Sequence, residues 1–233
     1  MQQVNIQQFC REVSLILLIS VAFWVLFNFL IYPAMGFHTP APIPIRSLAL
    51  VLLIYTFMRA TGNSFADFGL KRPNKIWLAV LLVLVFLAAK LFLVQPLGDI
   101  LRSGLELPRS DHRFFEHIHE NLPALFLWLF FAWFAGGLAE EFIFRGFLMT
   151  RIAGLIGNTR IAWGAALMIQ AVLFGLAHFY LGFGGIITTA FSALFYGLFY
   201  LLAGRNLWPV IIVHALWDSL GITLLYFNGV AST

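Results

Sequence analysis

The sequence predicts an all-α fold, a polytopic bundle of about seven helices that cross a membrane. Two observations carry this prediction. Hydrophobic residues make up 61% of the 233-residue chain and charged residues only 10%, against roughly 25% charged residues in a typical soluble domain. The apolar residues also form long stretches, several of them close to the about 20 residues that a helix needs to cross a bilayer. Spans and short loops nearly use up the chain, so we expect residues 1–233 to form a single membrane domain.

The spans are placed by the apolar stretches between polar segments. The first is too long for a cleaved signal peptide and is interpreted as a retained anchor. The second is short and follows a proline-rich loop, so it is expected to be tilted or re-entrant, or extended by that loop. Residues 98–121 are the longest polar segment and are predicted to form an interfacial or extramembrane helix. The predicted spans are 13–32, 44–58, 76–94, 122–139 continuing to about 150, 161–179, 185–203 and 208–227.

The distribution of basic residues predicts the orientation. With the N-terminus inside, alternating spans place eight Lys and Arg residues inside and four outside. Cytoplasmic loops carry the excess of positive charge, so we expect N-inside and C-outside. No basic run is interleaved with polar residues, which argues against a nucleic-acid partner. The only cysteine, Cys10, excludes an intrachain disulfide.

Two further patterns concern the bundle as a whole. The sixth span carries small residues at four-residue spacing, which predicts a face that packs closely against another helix. These residues are Gly185, Thr189, Ala193 and Gly197. No internal repeat is evident, which argues against an inverted-repeat transporter.

Ionisable residues inside the apolar spans are the strongest indication of function. An acidic residue at a helix centre costs roughly 2.5–3.5 kcal/mol on insertion scales, and such residues mark functional sites by default. Taken singly, each residue can be explained by a purely structural role: a structural ion pair, an interfacial histidine, or a helix-packing hydrogen bond. Taken together, they predict one shared site. The residues are Glu140, Glu141 and Arg145 in the fourth span, His178 at the end of the fifth, and His214 and Asp218 in the seventh.

Helical spacing indicates which of these side chains can meet. Glu141 and Arg145 are four residues apart, so they share a face and can pair. Glu140 points about 100° away and stays available for another role. His214 and Asp218 also share a face. Carboxylates and imidazoles together can activate a water, stabilise an oxyanion or bind a divalent metal.

Three motifs in the C-terminal half of the chain resemble those of a known family. They read Glu140-Glu-Phe-Ile-Phe-Arg145, Phe174-Gly-Leu-Ala-His178 and His214-Ala-Leu-Trp-Asp218. In this order they resemble the CPBP family of CAAX proteases and bacteriocin-processing or self-immunity (Abi) proteins. The resemblance covers about residues 122–228, the expected catalytic part.

The resemblance implies proteolysis inside the membrane. By analogy, Glu140 and His178 activate a water, while His214 and Asp218 bind the oxyanion. Glu141 is also counted among the candidate catalytic residues, and it forms with Arg145 a structural ion pair that holds the fourth helix. Both a metal-free, glutamate-based mechanism and a metalloprotease mechanism are argued for the family. A divalent ion such as zinc therefore stays open, with Glu140, His178 and His214 as its candidate ligands.

The expected partners are a peptide or membrane-anchored protein substrate and the lipid bilayer, and the expected location is the bacterial cytoplasmic membrane. Two alternatives remain open. One is a catalytically silent immunity or scaffold protein on the same fold. The other is a proton-coupled carrier whose buried Glu, His and Asp form a relay, although the missing internal repeat counts against it.

Overall fold

The computed structural model describes residues 62–230 and, before them, residues 48, 51, 52, 54–56, 58 and 59. Within these residues all regular structure is helical. Five helices, numbered from the first described one, are long and apolar enough to cross a membrane. They are α1 (Ile76–Gly104), α2 (Leu122–Leu155), α3 (Arg160–Ala177), α4 (Phe179–Leu202) and α5 (Leu207–Asn228). Two short 3₁₀ helices accompany them: Phe65–Phe68 precedes α1, and Arg113–Ile118 lies between α1 and α2.

The five long helices confirm the third to seventh predicted spans. The first predicted span, 13–32, lies outside the described residues, and the second, 44–58, lies largely outside them. The positions of the second that are described, 48, 51, 52, 54–56 and 58, are helical. The total of seven spans and the orientation of the termini stay predictions.

The polar segment 98–121 is not one helix, and this prediction was wrong. Its first residues complete α1, the chain then turns, and a 3₁₀ helix, Arg113–Ile118, follows. Glu106 adopts a left-handed conformation, with φ of 54°, which breaks the helical path just after α1. Pro108 then disfavours a helical conformation at the residue before it.

Charge and apolar surface are distributed in the opposite way from a soluble protein. Glu141 and Arg145 have no exposed surface at all, whereas Phe92, Ile161 and Phe227 are each more than half exposed. Exposed apolar side chains on this scale have no stable place in water. The bundle therefore presents its apolar side chains to lipid and keeps its charges inside.

Two of the long helices widen into π-helical turns. In α1 this occurs at Lys90–Val94, and in α2 at Ala132–Glu140 and Phe142–Leu148. Pro96 lies shortly after the first of these and cannot donate a backbone hydrogen bond. Wide turns of this kind are frequent at functional sites, and here they carry Lys90 and Glu140.

Helices α3 and α4 approach each other closely at glycine. A Cβ atom on Gly175 of α3 would lie 2.6 Å from the carbonyl oxygen of Ile186 in α4. Ala193 is completely buried, and Gly197 faces Leu167 of α3. The small-residue face predicted on this span therefore packs against α3 at Ala193 and Gly197. Gly185 instead contacts Leu181, at the start of its own helix.

We predict that Gly175→Ala destabilises the protein by about 1–3 kcal/mol, because the added methyl group meets backbone that has no room to relax. Gly164→Ala on the same helix is the matched control, since nothing lies within 4 Å of the added Cβ. Thermal unfolding of the purified proteins in detergent measures both. Equal melting temperatures for the two variants would contradict the close approach of α3 and α4.

Candidate active site

The three motif-bearing segments line one cavity of about 780 Å³. Glu140 enters its wall from α2, His178 from the end of α3, and His214 and Asp218 from α5. Glu140, His178 and Asp218 are half-buried, while His214 is almost completely buried. The tertiary structure thus brings together the side chains for which the family resemblance implies water activation and oxyanion binding.

Glu141 lies behind the cavity wall and links two neighbours. Its side chain is completely buried, and one oxygen, Oε1, lies 3.1 Å from Nη1 of Arg145. The same oxygen lies 2.6 Å from Nδ1 of His214. The spacing of the sequence indicated the contact with Arg145, but nothing in it indicated the bond to His214. Glu141 therefore connects the ion pair within α2 to the histidine of α5.

Glycine allows α5 to approach closely enough for this bond. A Cβ atom on Gly137 would lie 2.8 Å from Cβ of Ala215 and 3.0 Å from the carbonyl oxygen of Ile211. Any larger residue at position 137 would push α5 away from α2. The distance between Glu141 and His214 depends on this crossing.

Arg145 ties α2 to two further helices. Its Nη2 donates to the carbonyl oxygen of Ala193 in α4, at 3.4 Å. The guanidinium lies 4.4 Å from the centre of the Phe174 ring and 5.5 Å from that of Tyr196. Aromatic faces attract a desolvated cation, so these rings and Glu141 compensate the buried positive charge.

His214 is held in a fixed orientation between two carboxyl groups. Its Nδ1 faces Glu141, and its Nε2 lies 3.4 Å from Oδ2 of Asp218. The ring stacks on Tyr196, with the ring centres 4.9 Å apart. Because the Glu141 carboxylate can only accept, Nδ1 is the donor, and Nε2 is directed toward the cavity side.

The Asp218 side chain lies against Gly136 of α2, where any side chain would occupy its space. A Cβ atom on Gly136 would lie 2.6 Å from Oδ2 of Asp218. The Asp218 side chain is about one-third exposed and lines the cavity. It is therefore available to a molecule bound there, whereas Glu141 is not.

His178 follows directly on the last residue of α3. Its Nδ1 lies 2.8 Å from the carbonyl oxygen of Phe174, and its ring lies over the Phe174 ring, with the centres 4.6 Å apart. A carbonyl can only accept, so Nδ1 carries the proton and Nε2 is the basic nitrogen of the neutral ring. The carbonyl bond expected for a histidine near a helix end is present, and the side chain nevertheless lines the cavity.

The candidate donors Glu140, His178 and His214 are not grouped around one point in the part of the chain that the structure describes. In residues 62–230 and the few described before them, no three His, Cys, Asp or Glu side chains are placed to hold a metal ion. Both nitrogens of His214 already face carboxyl groups. The arrangement therefore does not fit zinc ligation by Glu140, His178 and His214.

The sequence did not indicate several other residues of the cavity wall. The structure adds Lys90 from α1, Ser192 and Tyr196 from α4, and Trp217 from α5. The one available signal was Lys90, a charge within an apolar stretch. Its place beside the motif residues depends on how α1 packs, which local spacing does not reveal.

The segment between α1 and α2 contributes residues to the cavity wall. His112 lines it, and burial lowers the pKa of His112 against a smaller opposing effect of Asp111. His112 is therefore neutral near pH 7. Arg113 donates hydrogen bonds to Asp111 and lowers the pKa of that carboxyl group to about 2, so this pair stays charged outside the membrane-spanning helices.

We predict that Glu141→Gln destabilises the protein by about 3–5 kcal/mol, because it leaves Arg145 charged and uncompensated in a fully buried position. Thermal unfolding and the yield of folded protein measure the loss. Replacing both partners, as Glu141→Gln with Arg145→Met, is expected to recover part of it. Glu140→Gln is the matched control and is expected to keep the wild-type melting temperature. A stable Glu141→Gln protein would contradict the role of Glu141 as the counter-charge.

Comparison with known proteins finds similarity in the part of the chain that carries the three motifs. Residues 122–220 match the model of the Rce1-like family, described as type II CAAX prenyl endopeptidase Rce1-like. No curated protein and no solved structure matches the chain. The matched residues contain all three motifs, and the match indicates a protease of the membrane. The resemblance to CAAX proteases predicted from those motifs is thus confirmed over residues 122–220, which are similar to the Rce1-like family.

Proposed function

We propose that this protein is an intramembrane endopeptidase that hydrolyses a peptide bond with a water activated by Glu140 and His178. Its substrate is a peptide or a membrane-anchored protein. One observation carries the proposal: Glu140, His178, His214 and Asp218 line a single cavity within a bundle whose outer surface is apolar.

The first step is the attack of water on the scissile carbonyl carbon. Glu140 accepts a proton from the water, and the oxygen forms a bond to the carbonyl carbon as the carbonyl electrons move to its oxygen. His178, with Nε2 as its basic nitrogen, holds the water in position by accepting its second hydrogen. A positioned general base of this kind contributes typically 10²–10⁴-fold to the rate.

The second requirement is stabilisation of the tetrahedral intermediate. Its oxyanion needs donors already in place. His214 supplies one through Nε2–H when its ring is protonated, with Glu141 fixing the ring through Nδ1. Asp218 lies beside this nitrogen and donates when its carboxyl group is protonated. The intermediate collapses as Glu140 returns its proton to the leaving amine, which breaks the C–N bond.

We predict that Glu140→Gln lowers kcat at least about 100-fold while the protein stays folded, because glutamine has the same shape but cannot accept the proton. Internally quenched peptides ending in a CAAX-type sequence, with and without a prenyl group, are incubated with purified protein in nanodiscs. Mass spectrometry locates the cleaved bond. Glu116→Gln, an exposed glutamate outside the long helices, is the matched control and is expected to cleave like the wild type.

Two results would refute this assignment. Cleavage by a well-folded Glu140→Gln protein, together with loss of cleavage in a well-folded Glu141→Gln protein, would reverse the roles of the two glutamates. Absence of cleavage by the wild type across these substrates would favour the silent scaffold or immunity protein.

We predict that Asp218→Asn keeps activity within about tenfold of the wild type, whereas Asp218→Leu loses at least about 100-fold. Asparagine retains the shape, an acceptor for His214 and a donor for the oxyanion, and leucine retains neither polar group. The measurement is kcat for both variants, with the bound zinc of each determined by elemental analysis. An Asp218→Asn protein that loses both zinc and turnover would instead identify Asp218 as a metal ligand.

A further inference from the structure

Lys90 is a buried cation in the wall of the same cavity, and the mechanism above does not use it. Only 3% of its surface is exposed. Its ammonium group donates to Oγ of Ser192 at 2.8 Å and lies 4.9 Å from the centre of the Trp217 ring and 5.4 Å from that of Tyr196. A lysine within a membrane span is costly and marks a functional position by default.

Among residues 62–230 and the few described before them, no carboxylate forms a direct ion pair with Lys90. Asp218 and Asp99 attract Lys90 only from a longer distance. An ammonium group has three N–H donors, and Ser192 accepts from one of them. The remaining hydrogen-bonding capacity is available to an anion that enters the cavity.

Lys90 also lies close to the reacting groups. Tyr196 stacks on His214 and borders the Lys90 ammonium, so the ammonium is no more than about 10 Å from the centre of the His214 ring. An extended peptide covers about 3.3–3.6 Å per residue. An anion held by Lys90 would therefore be within about three residues of the bond that is cleaved.

We propose that Lys90 is a specificity residue that binds a carboxylate of the peptide substrate close to the scissile bond. The carboxylate is either the C-terminal one or that of an acidic side chain, and both present the same chemistry to the ammonium group. This proposal rests on the proposed function, because it places the peptide in the cavity. A peptide offers a carboxylate as its anion, and in this dry wall the ion pair would be charge-assisted and strong.

Binding to a non-hydrolysing protein tests this proposal separately from catalysis. Full-length Glu140→Gln protein in nanodiscs is titrated with fluorescent CAAX-type peptides, and the Kd of each is measured by anisotropy. The peptides carry a C-terminal acid or amide, crossed with Glu or Gln two residues before the end. Removing the carboxylate that Lys90 binds is expected to raise Kd at least about tenfold, and which arm shows the loss identifies the source of the carboxylate.

Variants of Lys90 decide whether this residue is responsible. Adding Lys90→Met is expected to reduce the carboxylate-dependent difference in Kd, in whichever arm shows it, to less than about twofold, while Lys90→Arg keeps that difference because the charge remains. Lys75→Met, an exposed lysine just before α1, is the matched control and is expected to keep the full difference.

Three outcomes would overturn the proposal: no peptide binding, no dependence on either carboxylate, or the same dependence after Lys90→Met. A carboxylate dependence that requires Lys90 in a protein whose wild type cleaves nothing would instead refute the proposed function and leave the binding role of Lys90 in place.

Discussion

The interaction on which the site depends is the sharing of one Glu141 oxygen between Arg145 and His214. None of the Glu141 or Arg145 side chain is exposed, so water cannot replace either partner. A buried charge without its counter-charge is strongly destabilising. The Glu141 carboxylate therefore fixes the guanidinium of Arg145 within α2 and the imidazole of His214 on α5. The position of His214 depends on this shared carboxylate.

Glycine makes this arrangement possible. Gly137 lets α5 lie against α2, and Gly136 leaves space for the Asp218 carboxyl group. In lipid, helices associate through close packing and interhelical hydrogen bonds, because burial of apolar surface offers little between helices. The same glycines thus serve the stability of the bundle and the geometry of the site. Helix α2 has two π-helical segments, and Glu141 lies between them. The first, Ala132–Glu140, ends with Glu140, and the second is Phe142–Leu148.

The two adjacent glutamates illustrate how environment divides chemical roles. Glu140 lines the cavity and is half-buried, whereas the side chain of Glu141 is completely buried and compensates the Arg145 cation. Of the two, only Glu140 is placed to meet a molecule bound in the cavity. Lys90 and Arg145 both lie near the Tyr196 ring, and Lys90 extends the cavity's polar wall onto α1.

The sequence by itself determined the membrane class, the third to seventh spans and the motif residues, because hydrophobic length and the cost of intramembrane charge are local properties of the chain. Helical spacing also determined that Glu141 can pair with Arg145 and that His214 lies on one face with Asp218. Only the tertiary structure decided that Glu141 also binds His214, that the segment after α1 turns away at Glu106, and that Lys90 and Ser192 border the cavity. These contacts join residues from different helices, or depend on backbone conformations, that no period of 3.6 residues encodes. Which helices cross determines these contacts. The crossings in turn are determined by where the small residues of one helix meet the backbone of the next.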